Sequence, residues 1–323
     1  MILIVAEEND MHALAVARAL LARNPLTAVT IIDAQAFPSR AHLEINLNEW
    51  ILCTNDNRVI RSSDVTAIWW RRLLPHDISK SVKDPTARSF CANESGQAFR
   101  TIAYWPGYKV VNDVARERVA THKPLQHRIA HKLGIRIPST LVTNNPAKVV
   151  EFYKRHKNII YKVMTTPISS FAETRRFRDQ DIDLLQTLCH APIIFQQEVE
   201  KSKDIRVTVV GEKVFAASIA GKLDRGALFP DWRLDATAEC KSIELPENVV
   251  TQLLSLTRTL GLDYCAIDLI QDVAGDFVFL EVNPSGQFLF VEIDTGQPIS
   301  GAIAEMLLEP QFRGPGQLLP SMR

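Results

Sequence analysis

The stretch that most restricts what this chain can become runs from Leu262 to Gln287. Two runs rich in β-branched and aromatic residues flank Asp272-Val-Ala-Gly-Asp276, whose Gly and Asp content is that of a turn. The expectation is an antiparallel hairpin. Side chains alternate faces along a strand, so Ile267, Leu269, Leu280 and Val282 should share one side, with Asp268, Glu281 and Asn283 on the other. A loop centred on Ala274-Gly275 sets Asp268 directly opposite Glu281, with Cβ atoms roughly 5 Å apart. Two facing carboxylates repel, and the arrangement is costly unless a cation sits between them. Carboxylate and amide oxygens are hard ligands that suit Mg2+ held jointly by protein and substrate phosphates. A solvated polar face is the other reading of an Asp/Glu pair. The opposed register, the Asn two residues on and the apolar opposite face favour metal.

The chain of 323 residues is long enough for two or three domains with a real core. Lys and Arg balance Asp and Glu at 37 each, so nothing in the charge suggests nucleic acid or a membrane surface as partner. Cys53, Cys91, Cys189, Cys240 and Cys265 are odd in number and scattered without a CxxC, the usage of a reduced, cytoplasmic chain. The apolar start, Met1 to Ala6, lacks a basic flank, and no apolar run approaches the roughly 20 residues that span a bilayer.

Met1–Ala6, Met11–Arg23 and Ala28–Asp33 read as β-α-β, which implies a parallel sheet. The turn after the first strand, Glu7-Glu8-Asn9-Asp10, has no glycine and would repel a phosphate, so a dinucleotide loop is absent. Leu47–Cys53 and Val59–Ile60 suggest a small hairpin. Val65–Trp70 is a further buried strand, from whose end Arg71 and Arg72 emerge, where ligands of open α/β sheets bind. They suit a carboxylate or phosphate bidentately, or a plain surface ion pair. A helix over Ala87–Ala103 and a short strand over Lys109–Asn112 complete the first domain.

Pro124–Leu133 is a helix with Pro in its first turn and Gly134 at its end. His127 and His131 stand at i, i+4, but with no HExxH pattern or Cys ligand they read as surface histidines. Ile135–Val142 is a strand, and a helix capped by Asn145 follows to about His156. Lys162 on the apolar strand Asn158–Met164 is either an edge-strand gatekeeper or a cation aimed at phosphates. Thr165–Arg178 has little periodicity and reads as a loop, and Asp179–Cys189 as an amphipathic helix. Ile193–Val199 is a strand. Asp204–Val210 and Lys213–Ile219 form a hairpin with Asp204, Arg206 and Thr208 on one face; the acid and the base pair with each other or take ribose and phosphate. Gly221–Asp235 is a basic, aromatic connector. Glu247–Leu260 is an amphipathic helix closed by Gly261, Ile299–Leu308 is the last helix, and Gln311–Arg323 a tail.

Together these pieces resemble the ATP-grasp superfamily. The resemblance is carried by Lys123, Lys162 in Tyr161-Lys-Val163, Gln197-Glu198-Val199, Asp204-Ile-Arg206 and Asp268…Glu281-Val-Asn283-Pro284, and covers nearly the whole chain. It implies a fold of α/β and α+β class, an ATP-grasp fold behind an N-terminal parallel α/β pre-ATP-grasp domain. The expected divisions are an N-terminal domain at 1–117, a lid at 118–192, a C-terminal domain at 193–310 and a tail at 311–323. The roles it implies put Lys123 and Lys162 on ATP phosphates, the main chain of Glu198 and Val199 at adenine, Gln197 among the ATP contacts, and Asp204 at the ribose region. Asp268, Glu281 and Asn283 would hold two Mg2+ ions.

A narrower resemblance is to the peptide maturases of microviridins and related graspetides. It rests on Ile68-Trp-Trp-Arg-Arg72, Asn112-Asp-Val-Ala-Arg116, Ile137-Pro-Ser-Thr140, Asp204-Ile-Arg-Val-Thr-Val-Val-Gly211, Asp231-Trp-Arg233 and Asn283-Pro-Ser-Gly-Gln287. It implies ATP-dependent joining of Asp or Glu side chains of a ribosomal precursor peptide to Ser, Thr or Lys side chains, by an enzyme that forms a homodimer. Arg206 and Arg233 are then candidates for steadying the acyl phosphate, and Arg71, Arg72 and Trp232 for holding the peptide. Two rivals stay open: a RimK-like or glutathione-synthetase-like ligase acting on a small substrate or a protein C-terminus, and a non-catalytic ATP- or peptide-binding regulator.

Overall fold

Strand β1 (Ile2–Val5) lies inside its sheet, because each of its residues is apolar and can be buried on both faces. The computed structural model describes residues 1–165, 173–220, 223–224, 227–228 and 238–309. In order after β1 come α1 (Met11–Arg23), β2 (Val29–Ile32), β3 (His42–Ile45), β4 (Trp50–Cys53), β5 (Val59–Arg61), β6 (Ala67–Trp70), α2 (Pro85–Tyr104) and β7 (Lys109–Val111). A parallel sheet of order β2-β1-β6-β7 forms, as the β-α-β pattern predicts. The small hairpin gains a third strand, β3, and begins at Trp50, since Leu47 is 98% exposed.

Helices α3 (Val114–Ala120) and α4 (Lys123–Lys132) lead into the lid, made of β8 (Thr140–Thr143), α5 (Pro146–His156), β9 (Ile159–Lys162), β10 (Arg175–Arg176) and β11 (Ile193–Gln197). The lid sheet is antiparallel, of order β10-β9-β11-β8. The strand expected from Ile135 is regular only from Thr140, because Pro138 has no N–H to give a ladder. The helix expected over Asp179–Cys189 is wound as a 3-10 helix over Asp179–His190, and Arg175–Arg176 pairs with β9 where a loop was expected. Val149, Phe152, Ile159, Phe177, Leu185 and Phe195 fill the outer face of the lid. Ile160, Lys162, Ile194, Gln196, Thr140 and Val142 are cross-strand partners and so share the inner face.

The last domain contains β12 (Lys201–Val210), β13 (Lys213–Ala220), the short pair β14 (Leu223–Asp224) and β15 (Ala227–Leu228), then β16 (Glu239–Ser242), α6 (Glu247–Leu260), β17 (Tyr264–Asp272), β18 (Phe277–Asn283), α7 (Leu289–Thr295) and α8 (Ile299–Leu308). Its five-stranded sheet runs β16-β13-β12-β17-β18. Ile205, Val207, Val209, Ile267, Leu269 and Phe279 pack one face against Leu253, Leu256 and Leu260 of α6. The first and last domains share a core: Ile4, Val16, Leu20 and Trp69 meet Tyr264, Phe288, Ile303 and Leu307. Burying that surface fixes the strand ends of the first sheet against the polar end of the last.

Candidate active site

The hairpin β17–β18 sets Asp268 directly across from Glu281, as its alternation predicts. The register is reached differently from the expectation. The ladder pairs Gln271 with Phe277 and Leu269 with Phe279, and a bulge at Leu280 then returns Asp268 to Glu281. Phe279, not Leu280, therefore joins the apolar face. Arg206 on β12 lies in the same row, opposite Asp268, and Thr208, Ala266 and Asn283 make the next row.

The facing carboxylates are held apart by cations of the chain itself. Arg206 Nη1 donates to Asp268 Oδ1 at 2.8 Å, and Lys123 Nζ stands 2.8 Å and Lys162 Nζ 3.8 Å from Glu281 Oε2. Lys123 opens α4 and Lys162 closes β9, so two separate elements ahead of the last domain meet on its one carboxylate. Asp204 and Arg206 do not pair with each other, because Lys201 reaches Asp204 at 2.6 Å and Asp268 takes Arg206. Arg206 Nε is buried and has no hydrogen-bond partner among the described residues.

The edge strand β18 is clamped by α4. Gln126 Oε1 accepts from Val282 N–H at 2.9 Å and its Nε2 donates to Val282 O at 2.8 Å, as a neighbouring strand would. His127 Nε2 donates to the carbonyl of the bulged Leu280 at 2.8 Å. His127 is thus buried rather than at the surface; burial lowers its pKa, against that same bond, which raises it. His131 is exposed. The spacing of Lys123, Gln126 and His127 puts all three on one helix face, a signal present in the sequence but read only at its lysine.

Beyond β18 the loop folds back over Ala266. A Cβ on Gly286 would overlap that of Ala266 and stand 2.9 Å from Arg206 Nη2, so only glycine fits. Arg71 is 2% exposed: its Nη1 donates to Ser285 O at 2.6 Å and its Nη2 lies 3.7 Å from Asp10, which also caps α1. Arg71 is thus buried, whereas Arg72, its neighbour in the sequence, is exposed. Glu117 accepts from Ser285 Oγ at 2.6 Å, and burial pushes its pKa up to about 7. His12, against the Phe288 ring, is brought down to about 4 by burial and by Arg71.

Just beyond β11, Glu198 N–H donates to Asn158 O at 3.0 Å. Its carbonyl and the Val199 N–H hydrogen-bond to no other group among the described residues. A cavity of about 590 Å³ between α4 and the lid is lined by Lys123, His127, Ile137, Thr140, Val142 and Ile194. Among the described residues no three or more His, Cys, Asp or Glu side chains cluster as a metal site. A cation at the Asp268–Glu281 pair would need the Asn283 amide and phosphate oxygens to complete its shell, a hard donor set suited to Mg2+. Trp232 and Arg233 lie outside the described residues, as do most of the connector after β13, part of the loop after β9 and the tail.

A lid sheet carrying one lysine, hinged over a strand pair carrying Asp, Glu and Asn, defines an ATP-grasp ligase, a class that works with ATP and Mg2+. The chain belongs to the RimK-like ATP-grasp family, whose domain matches residues 120–307, and residues 1–118 match the MvdD pre-ATP grasp domain. The macrocyclase MdnC of Microcystis aeruginosa MRC, solved with its precursor peptide MdnA, is 29% identical at a TM-score of 0.86, over 95% of this chain and 99% of that one. The ATP-grasp ligase PsnB with minimal precursor, Mg and ADP is 25% identical at a TM-score of 0.77, over 95% and 96%. A probable alpha-L-glutamate ligase of Shewanella loihica is 25% identical over 90% of this chain and 94% of its own length. Among the described residues no helix is long and apolar enough to cross a membrane.

Proposed function

We propose that this ligase is a peptide macrocyclase, activating Asp or Glu side chains of a ribosomal precursor peptide and closing ester or amide links with its Ser, Thr or Lys side chains. The observation that carries the reading is the likeness, through both domains, to a macrocyclase solved with its precursor peptide. A carboxylate is a poor electrophile. Taking the γ-phosphoryl group of ATP turns it into an acyl phosphate and releases ADP; attack by the hydroxyl or amine then expels phosphate. Such chemistry asks for positioning and charge neutralisation rather than a protein nucleophile.

Lys123 and Lys162 exchange Glu281 for phosphate oxygens. Gln197, the Glu198 carbonyl and the Val199 N–H receive adenine, and Asp204 the ribose. Asp268, Glu281 and Asn283 hold Mg2+, two ions in this reading, which would offset phosphate charge when bound. Arg206 steadies the acyl phosphate and the tetrahedral intermediate, with Arg233; Arg72 and Trp232 hold the peptide. The protein works in the cytoplasm, as its free cysteines suit, and as a homodimer. The first half of α2 supports pairing: none of the residues from Pro85 to Glu94 is buried, and Phe90 is 65% exposed.

The test is incubation with ATP, Mg2+ and an acidic peptide bearing Thr or Lys, followed by mass spectrometry. Loss of one water per ring supports the proposal. The glutamate-ligase relative favours a second reading, in which product forms only with free amino acids and the peptide is left unchanged.

A further inference from the structure

The segment from Pro284 to Gln287 has no regular structure, yet each of its four carbonyls accepts a hydrogen bond from a different side chain. Asn112 Nδ2 donates to Pro284 O at 3.0 Å, Arg71 Nη1 to Ser285 O at 2.6 Å, Tyr264 Oη to Gly286 O at 2.6 Å and Arg206 Nη2 to Gln287 O at 2.8 Å. All four donors are buried. Tyr264 and Arg206 come from the sheet beneath; Asn112 and Arg71 follow the ends of β7 and β6, across the domain junction.

The N–H groups of the same loop converge on Asn283. Ser285 N–H donates to Asn283 Oδ1 at 3.1 Å and Gly286 N–H to Asn283 O at 3.2 Å. Ser285 is therefore gripped three ways: its carbonyl by Arg71, its hydroxyl by Glu117, its amide by the Asn283 side chain. A neutral donor such as Asn112 would suffice to satisfy a main-chain carbonyl. A guanidinium buried at 2% exposure is far costlier to desolvate, and Asp10 at 3.7 Å compensates it only in part. Groups that ligate a cation depend on the outer partners that aim them.

We propose that Arg71 is a positioning residue of the active centre: from the N-terminal domain it fixes the Ser285 main chain, whose N–H aims Asn283 Oδ1 at the cation shared with Asp268 and Glu281. This rests on the ligase reading above and gives Arg71 a different task from the peptide contact expected from sequence. It makes the N-terminal domain part of the metal site without lending it a ligand.

The experiment compares wild type, Arg71→Ala and Arg71→Lys. Mn2+ binding to the protein–ADP complex is followed by electron paramagnetic resonance, alongside kcat and peptide KM. Arg71→Ala is expected to bind ADP alone within about twofold of wild type and to weaken Mn2+ by about tenfold or more, the range of outer-partner losses. Its kcat falls while peptide KM stays put. Arg71→Lys recovers part of the Mn2+ affinity, since one ammonium N–H can reach the carbonyl but not the fork of contacts. Unchanged Mn2+ affinity with a raised peptide KM would overturn the inference in favour of a substrate contact. If Arg71→Ala does not fold, Arg71→Lys decides alone, and Mn2+ affinity equal to wild type sinks the idea. A wild-type protein that fails to take up Mn2+ with ADP overturns the ligase reading itself; normal wild-type uptake with unaltered variants overturns only the role of Arg71.

Discussion

Gln126 is 1% exposed and gives the free edge of β18 the hydrogen bonds of a missing strand. Its Nε2 donates to Ala120 O at 2.6 Å and Val282 O at 2.8 Å, while its Oε1 accepts from Val282 N–H. Gln126→Glu keeps the shape and the acceptor but sets an oxygen against two carbonyls. Each buried carbonyl left without a donor costs about 1–3 kcal/mol, so the ionised variant should lose about 4 kcal/mol. Protonation returns one donor, which is worth about 2 kcal/mol and raises the introduced carboxyl about 1.5 units above its usual 4.3. The folded value then lies above the unfolded one. That contribution is fully present below about pH 4.3 and is lost as pH rises through about 6.

The assay is the denaturant midpoint of variant and wild type at several pH values, taken as a difference so that other titrations cancel. The expected deficit is about 3 kcal/mol at pH 5 and about 4 kcal/mol at pH 8. Because Val282 adjoins Glu281, kcat should fall with it. A deficit under about 1 kcal/mol at pH 8, or one flat with pH, would refute the argument that α4 holds the metal strand in register.

Four further outcomes follow from the geometry. Gly286→Ala drives a methyl into Ala266 and towards Arg206, so it should lose about 2 kcal/mol and lower kcat at least about tenfold. Adding Ala266→Gly should restore part of both, and no restoration by thermal melting or rate would count against the contact. Glu281→Ala should abolish Mg2+-dependent turnover while the unfolding free energy changes by no more than about 1 kcal/mol, since its lysine partners keep access to solvent; an active purified variant sinks the assignment. Lys162→Ala should weaken ATP by about 1.5–3 kcal/mol, the worth of a charged hydrogen bond, as read by calorimetry. If the proposed homodimer pairs through α2, Phe90→Glu should lower the sedimenting mass from dimer to monomer; a wild type that sediments as a monomer, or a variant that stays dimeric, refutes that pairing.

What could be read from the sequence was whatever depends on period and residue type. Alternation put Asp268 and Glu281 on one face, and they do face each other. The route differs: the loop is centred half a residue earlier than Ala274-Gly275, and a bulge at Leu280 that no local pattern announces restores the pairing. That bulge persists because His127 captures its carbonyl from a helix some 150 residues earlier in the chain. Without metal-site company His127 reads as a surface residue, because its sequence context carries no sign of a main-chain partner. The same blindness explains Gln126, Asn112, Tyr264 and Arg71. Each contacts a carbonyl or an amide, and every residue has those, so nothing at the far end of the bond identifies the pair. Ion pairs are more legible because both ends carry charge, yet proximity in sequence suggests Asp204 for Arg206, and the register delivers it to Asp268. Chemistry that resides in side chains can be inferred before the fold is known. The backbone contacts that hold it in place can be assigned only once strands, bulges and domain junctions have set which carbonyl meets which donor.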